Sequence, residues 1–235
     1  MRQAFLLFML LLFCKFSFGQ YKLDPDLKAQ YWEQFKRLPE EVRNDSDTDF
    51  KDNLGILFDF EIDTLNKNDF EPIDTSLKLF SINPETGEEE PLATNRNEEE
   101  TVSMEHPLWL NCECKFKGDI LEIHSGIGSF SGFAVNIRLA GDRASAFYTK
   151  YESSGKVFRA TLTDEKVSGF TIPAMIHDLT IDQKPTKGLK EIYGRISVAS
   201  DSYYVYVNAW NFKHGYIHQR VRLQFYFRCH VPEPH

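Results

Sequence analysis

Amphipathic aromatic residues share one parity in a segment near the end of the chain. The residues of that parity are Tyr204, Tyr206, Asn208 and Trp210. Because successive side chains of a β-strand point to opposite faces, these four would form one row. Tyrosine and tryptophan rings beside an amide are typical of a surface that stacks on sugar rings or packs against a protein partner. Tyr226 and Arg228 have the parity to extend this row from the following strand, so we predict all six as ligand-binding residues.

A second interpretation places the same row in the core. The N-terminal part of the chain carries three rings at helical spacing, Tyr31, Trp32 and Phe35, and these need a surface to pack against. Exposed aromatic platforms are the less common case, which favours burial of the row beneath this helix. The exposure of the row in the folded protein separates the two interpretations.

Residue types that could perform hydrolysis are present but scattered. His124, Ser125 and Asp119 are the types of a nucleophilic triad, but no Gly-x-Ser-x-Gly turn accompanies them. A pair of carboxylates could act on a glycosidic bond. The candidate acids are Glu113, Glu122, Asp178 and Glu191. Their spacing singles out no two of them, so we assign no catalytic residue and no cofactor.

The chain has four cysteines, of which Cys14 lies in the apolar segment at its start. Cys112, Cys114 and Cys229 all have the parity of apolar neighbours and are the disulfide candidates. A bond from Cys229 to Cys114 or Cys112 requires Cα atoms within roughly 7 Å and leaves the third cysteine as a buried thiol. The alternative is three buried reduced cysteines. Two cysteines separated by one residue lack the spacing of a zinc site, so we predict no metal.

Two-residue alternation dominates the chain from Leu54 onward and indicates many short antiparallel strands without intervening helices. The predicted fold class is therefore all-β, an antiparallel β-sandwich or closed β-barrel of jelly-roll or lipocalin-like type. The strand-like runs after residue 101 are Leu108–Lys117, Ile120–His124, Phe130–Leu139, Ala144–Tyr151, Lys156–Leu162, Ile176–Ile181, Glu191–Val198, Tyr203–Asn208 and Ile217–Val231.

Two strands have the clearest predicted faces. In the last one, Val221 to Val231 place apolar residues at odd positions, whereas Arg220 and Arg222 are at even positions. A slip of one residue would bury the arginines, so the register is strongly fixed. In the first one, Leu54, Ile56, Phe58, Phe60 and Ile62 are predicted to share a single half-buried face.

One α-helix is predicted, over residues 25–37. Asp24 suits the N-cap, Pro25 suits the first helical position, and Pro39 should end the helix. We therefore divide the chain into residues 1–19 as a signal peptide, 20–50 as a helix and acidic linker, and 51–235 as an antiparallel β domain.

The first segment has the composition of a secretory signal peptide. Arg2 precedes an unbroken apolar run at residues 4–13, and Ser17 and Gly19 are small residues at −3 and −1 of a cleavage site between Gly19 and Gln20. The run is too short to span a bilayer, which takes about 20 apolar residues. The sequence therefore predicts a secreted or periplasmic protein without a transmembrane segment.

Composition narrows the function without assigning it. The chain has 235 residues, 42% of them hydrophobic, which is enough for a substantial core. Its net charge of −8 argues against nucleic-acid binding, which needs excess lysine and arginine. The sequence predicts an exported non-catalytic binding domain for carbohydrate or a small apolar ligand, with a protein as the other possible partner. The alternatives are a secreted hydrolase and a structural or assembly component of an envelope or extracellular complex.

Overall fold

The computed structural model of the chain describes residues 19–45, 51–65, 80–82, 89–91, 107–128, 130–207 and 215–232. The structure is mostly β, with 62% strand. Of the helices within these ranges, none has the length and apolar character needed to cross a membrane.

The helices are α1 (Leu27–Phe35) and α2 (Glu40–Arg43). In chain order the strands are β1 (Gly19–Gln20), β2 (Lys22–Leu23), β3 (Leu54–Thr64), β4 (Phe80–Ile82), β5 (Glu89–Pro91), β6 (Leu108–Lys117), β7 (Ile120–Ile127), β8 (Ser131–Ala140), β9 (Arg143–Glu152), β10 (Phe158–Arg159), β11 (Gly169–Ile181), β12 (Glu191–Ser200), β13 (Tyr203–Val207) and β14 (Gly215–His230).

Eight of these strands close into an up-and-down barrel. The ring is β3, β6, β7, β8, β9, β11, β12 and β14, and each strand pairs antiparallel with the next. The last strand, β14, pairs with β3 and completes the ring. Tight turns at Gly118 and Gly141, both with positive φ (65° and 59°), connect β6 to β7 and β8 to β9. The predicted all-β class is confirmed, and the barrel is the architecture that the chain adopts.

Side chains fill the barrel interior. Tyr148, Tyr203, Phe225 and Phe227 are each at most 1% exposed and belong to one continuous core cluster. The ring of Phe227 occupies the space over Gly194, where an added Cβ atom would lie 1.9 Å from it. An eight-stranded barrel encloses a space just wide enough for side chains to fill, and here aromatic rings supply much of the filling.

The register of β14 is confirmed, whereas the single face predicted for β3 is wrong. Arg220 and Arg222 point outward, where they pair with Asp63 and Glu61 of β3. The pairing of β3 with β14 skips Phe58, which forms a β-bulge. The bulge reverses the alternation: Leu54, Ile56 and Phe58 pack in an outer cluster, and Phe60 and Ile62 pack against the inner core.

The N-terminal segment fills a gap in the barrel wall. The ladder between β9 and β11 ends at the pair Ala146 and Ala174. Beyond that point β1 pairs with β9 and β2 pairs with β11, so the segment lies between the two diverging strands. The hydroxyl of Tyr21 donates a hydrogen bond to the carbonyl of Gly141 (2.8 Å) and fixes the segment to the turn between β8 and β9.

A disulfide bond lies at a second irregular place in the wall, where β3 begins. Cys114 of β6 is bonded to Cys229 of β14, with Cα atoms 5.8 Å apart. The two strands approach each other directly there because β3, which separates them further along the barrel, begins only at Leu54. Cys112 remains a buried free thiol, as expected for the third cysteine, and burial raises the pKa of that thiol.

Helix α1 packs on the outside of the barrel. Its Leu27 and Tyr31 contact outward side chains of β3, β12 and β14 in a second apolar cluster. The outward members from the strands are Leu54, Ile56, Tyr193 and Tyr226. We call this outer surface of β3, β12 and β14 beneath α1 the covered face.

Candidate functional site

A groove of about 520 Å³ lies on the outer surface of β6, β7, β8, β9 and β11. The outward side chains along it are Glu113, Lys115, Glu122, His124, Asn136, Arg138, Phe147 and Thr171. We call this outer surface the open face. It is formed by consecutive hairpins, so residues from 113 to 147 come together without any long connection.

Strand register arranges the groove residues in two rows across the sheet. In the first row, His124 lies between Glu113 on β6 and Asn136 on β8, and Phe147 on β9 follows. The second row places Glu122 between Lys115 and Arg138. Directly opposed side chains on adjacent strands have Cβ atoms about 5 Å apart, so each row forms a continuous polar surface.

A chain of hydrogen bonds connects four strands along the groove. His124 Nδ1 lies 2.6 Å from Asn136 Oδ1, and Asn136 Nδ2 donates to Thr149 Oγ1 at 3.1 Å. The hydroxyls of Thr149 and Thr171 are 3.0 Å apart. Because every link joins neighbouring strands, the backbone sheet holds these side chains in place before any ligand binds.

Arg138 connects the second row to the first through an ion pair with Glu122 and a contact with the Phe147 ring. Its Nε atom lies 3.2 Å from Glu122 Oε1, and its guanidinium carbon is 5.4 Å from the centre of the Phe147 ring. Half of the Arg138 side chain remains exposed, at 51%. The groove therefore offers a phenyl ring, two carboxylates, an imidazole, an amide and two cationic groups to solvent.

The covered face holds the other charged cluster of interest. Arg228, a predicted ligand contact, is only 15% exposed and pairs with Asp52 at 2.8 Å and Glu191 at 3.3 Å. Its guanidinium also lies 5.3 Å from the Trp32 ring and 5.7 Å from the Tyr193 ring. The two carboxylates pair with its Nη2 atom and the two rings lie near its guanidinium, whereas Nε is buried without a hydrogen-bond partner among the described residues.

Helix α1 also contributes a cation to this cluster. Lys28 Nζ lies 2.6 Å from Glu191 Oε1, and that hydrogen bond raises the pKa of Lys28. Burial is the largest single influence on Glu191 and opposes its ionisation, but Lys28 and Arg228 outweigh it and hold the pKa of Glu191 below its ordinary value. The charges of the cluster thus help to attach α1 to the barrel.

The predicted aromatic row is divided between distant places. Tyr204 stacks on His218 with ring centres 4.3 Å apart, and Lys166 Nζ lies 3.5 Å from the centre of the Tyr206 ring. Tyr226 is 8% exposed in the covered face, eight residues along β14 from His218, which corresponds to about 26 Å of strand. Asn208 and Trp210 lie outside the described residues. The structure therefore brings Tyr226 and Arg228 together beneath α1, and Tyr204 and Tyr206 together on β13.

The three triad-type residues point in different directions. Ser125 is fully buried in the barrel, whereas His124 faces the groove. Asp119 lies in the turn after β6, with its carboxylate 2.9 Å from Lys187 Nζ.

Of the four candidate acids, two lie in the groove. Glu113 and Glu122 line it, whereas Asp178 pairs with Lys22 and Arg195 elsewhere on the barrel. Glu191 belongs to the covered face. In the part of the chain that the structure describes, no three histidine, cysteine or acidic side chains are grouped as a metal site would require.

Sequence reasoning named Glu113, Glu122 and His124 but missed Asn136, Arg138 and Phe147 as their neighbours. A usable signal existed in the two turns Gly118–Asp119 and Gly141–Asp142. Counting outward from the first turn pairs Glu113 with His124, and counting outward from the second pairs Asn136 with Phe147. Neither turn predicts how these two hairpins pair with each other. Comparisons with protein family models, with curated proteins and with solved structures found no match to this chain.

Proposed function

We propose that this protein is an exported, non-catalytic binding domain and that its ligand is a carbohydrate held in the groove of the open face. The observation that carries the proposal is the hydrogen-bonded chain from His124 through Asn136 to the two threonines, alongside the Phe147 ring. Binding sites combine apolar surface with a few polar groups in fixed positions.

A sugar ring has the complementary chemistry. Its hydroxyls both donate and accept hydrogen bonds, and its carbon–hydrogen face is apolar. The groove offers acceptors in Glu113 and Glu122, donors in Lys115 and Arg138, and the half-buried phenyl ring of Phe147. The charges of these four ionised groups balance, which favours a neutral polar ligand over a strongly charged one.

The filled interior makes an apolar small molecule the weaker ligand. Such a ligand would need a cavity inside the barrel, and the core rings of Tyr148, Tyr203 and Phe225 are each at most 1% exposed. Six of the ten residues that line the groove, by contrast, have a charged, amide or imidazole side chain. A polar ligand on the outer surface therefore agrees better with the packing than an apolar ligand in the interior.

A glycan array tests the proposed ligand class. The full chain should bind a restricted set of immobilised glycans, and calorimetry on a bound oligosaccharide should give a defined affinity. Phe147→Ala and Asn136→Leu should each weaken binding by about tenfold or more, because each removes one element of the groove. Tyr206→Ala, in the predicted aromatic row, should leave the affinity unchanged.

The other outcomes decide between the alternatives. Loss of binding in Tyr206→Ala with full binding in the groove variants would move the site to β13. Cleavage of a bound oligosaccharide would favour the hydrolase and implicate Glu113 and Glu122. Absence of binding to every glycan, with correct folding, would reject the carbohydrate proposal.

Export is tested by the N-terminus of the protein recovered from its native cells. The cleavage proposed between Gly19 and Gln20 falls within β1, so the processed chain would keep Gln20 opposite Arg143 of β9. Mass spectrometry should find a chain beginning at Gln20 outside the cytoplasm. A chain that retains residues 1–19 in the cytoplasm would contradict the proposal.

A further inference from the structure

We infer that His124 is a fixed hydrogen-bond acceptor, held in its Nδ1–H tautomer by Asn136 and Thr149, and that it recognises a hydroxyl group of the bound sugar. The identity of the ligand rests on the proposed function. The state of the imidazole does not, so the two parts are tested separately.

The first step concerns the contact between His124 and Asn136. An amide oxygen can only accept, so the imidazole nitrogen 2.6 Å from Asn136 Oδ1 must carry a hydrogen. That nitrogen is Nδ1. A neutral imidazole has a single N–H group, which leaves Nε2 with a lone pair.

The second step concerns the hydrogen bonds that the amide of Asn136 makes in this orientation. Its Nδ2 atom donates a hydrogen bond to Thr149 Oγ1, and the Thr149 hydroxyl can in turn donate a hydrogen bond to Thr171 Oγ1. A reversed amide would reverse every donor and acceptor in this chain. With the amide in the orientation that the structure shows, Asn136 accepts from His124 and donates to Thr149, and this orientation assigns the Nδ1–H tautomer to His124.

The third step concerns the surroundings of the free nitrogen. Among the described residues, Nδ1 is the ring nitrogen of His124 that makes a hydrogen bond, and the exposed ring lines the groove. Glu113 is its cross-strand neighbour and presents a carboxylate, which also accepts. Two neighbouring hydrogen-bond acceptors in the groove favour a ligand that presents two neighbouring hydrogen-bond donors. Neighbouring hydroxyls on a sugar ring are such donors, so this end of the groove is expected to need unsubstituted hydroxyls.

Nitrogen NMR of the full chain labelled with ¹⁵N-histidine tests the tautomer without any ligand. In buffer at about pH 9, where imidazole is generally neutral, the His124 signals should show the proton on Nδ1. Disappearance of the signals in His124→Gln assigns them. Thr149→Val removes the acceptor for Asn136 Nδ2, so the proton should shift at least partly to Nε2, the nitrogen that carries it in most free imidazoles.

Thr186→Val is the matched control, because Thr186 lies in an exposed turn between β11 and β12 and should leave the His124 spectrum unchanged. A wild-type proton on Nε2 would overturn the inference. So would a spectrum that Thr149→Val does not alter while the protein remains folded.

The glycan array tests recognition with the same set of immobilised glycans. His124→Phe should lose about tenfold in apparent affinity, whereas His124→Gln, whose side-chain oxygen can accept, should retain most of it. Equal loss in both variants would contradict a role as acceptor. Glycan binding combined with an Nε2–H tautomer would reject only this inference, and an Nδ1–H tautomer without glycan binding would reject the ligand and leave the tautomer established.

Discussion

Two arginines on opposite sides of the barrel make the same kinds of contact in different surroundings. Arg138 on the open face and Arg228 on the covered face each pair with a glutamate and each lie within 6 Å of an aromatic ring centre. The side chain of Arg138 is 51% exposed and that of Arg228 is 15% exposed. The difference comes from α1, which packs over the covered face, whereas neither helix of the described residues contributes to the groove of the open face.

The comparison shows that a polar or aromatic residue pointing outward from a barrel is not by itself evidence for a binding site. Tyr226 and Arg228 have suitable types for ligand contact, but their surfaces are used to attach α1. On the open face, Asn136 and Phe147 line a groove to which neither α1 nor α2 contributes a residue. The element that covers a face, rather than the composition of the strand, decides which outward residues are available.

The largest expected effect comes from removing the disulfide bond that joins the two faces. The Cys114–Cys229 bond joins β6, which carries the open face, to β14, which carries the covered face. Removing it in the double variant Cys114→Ala with Cys229→Ala should lower the free energy of unfolding by about 4 kcal/mol, because the bond closes a long loop in the unfolded chain. Urea unfolding measures the loss.

The control for the disulfide is Cys112→Ala, which removes a buried thiol and keeps the bond. Cys112→Ala should lower the free energy of unfolding by clearly less than the double variant does. Equal losses, or equal stability of the oxidised and reduced wild-type protein, would show that the covalent connection between the faces adds nothing to their packing.

The second effect compares the two arginines directly. Arg228→Met leaves the partly buried carboxylates of Asp52 and Glu191 without their shared cation and should cost about 2 kcal/mol. Arg138→Met removes a pair of similar geometry that solvent already screens, and it should cost less than about 1 kcal/mol. Urea unfolding of both variants gives the difference. Similar losses of unfolding free energy in the two variants would mean that burial beneath α1 does not change how much an arginine pair stabilises the fold.

Strand positions on the open face were largely predictable from the sequence. The predicted run Leu108–Lys117 is β6 without change, because its alternation is regular and a glycine turn follows it. The predicted run Lys156–Leu162 is a strand only at Phe158–Arg159, since the chain turns back from Thr161 to Asp164. Strand β11 begins seven residues before the predicted Ile176, because Pro173 is accommodated within its ladder to β9.

The covered face was less predictable, for a physical reason. One extra residue at Phe58 reverses the alternation of β3, and nothing in the local pattern marks a bulge. Helix α1 was predicted over residues 25–37 with Asp24 at the N-cap, and it spans Leu27–Phe35 with Asp26 at the N-cap. The position at which its rings dock depends on the closed barrel. Barrel closure is a contact between β3 and β14, more than 150 residues apart, which local periodicity does not encode.

The smallest expected effect is a dependence of stability on pH that originates in the covered face. The pKa of Glu191 is held below its ordinary value by Lys28 and Arg228, despite burial. A carboxylate with a lowered folded-state pKa stabilises the fold above its unfolded-state pKa, and that contribution is lost as the pH falls through the folded-state pKa. Glu191→Gln should therefore flatten the decline in unfolding free energy below about pH 5, by less than about 1 kcal/mol.

Asp119→Asn provides the comparison for this pH effect. The hydrogen bond from Lys187 also lowers the pKa of Asp119, but this carboxylate is fully exposed in the turn between β6 and β7, so solvent screens the pair. Unfolding in urea at a series of pH values should show a changed slope for Glu191→Gln and an unchanged one for Asp119→Asn. If both variants follow the wild-type curve, α1 is held by apolar contacts alone, and the charges beneath it only accompany the packing of Tyr31 and Tyr193.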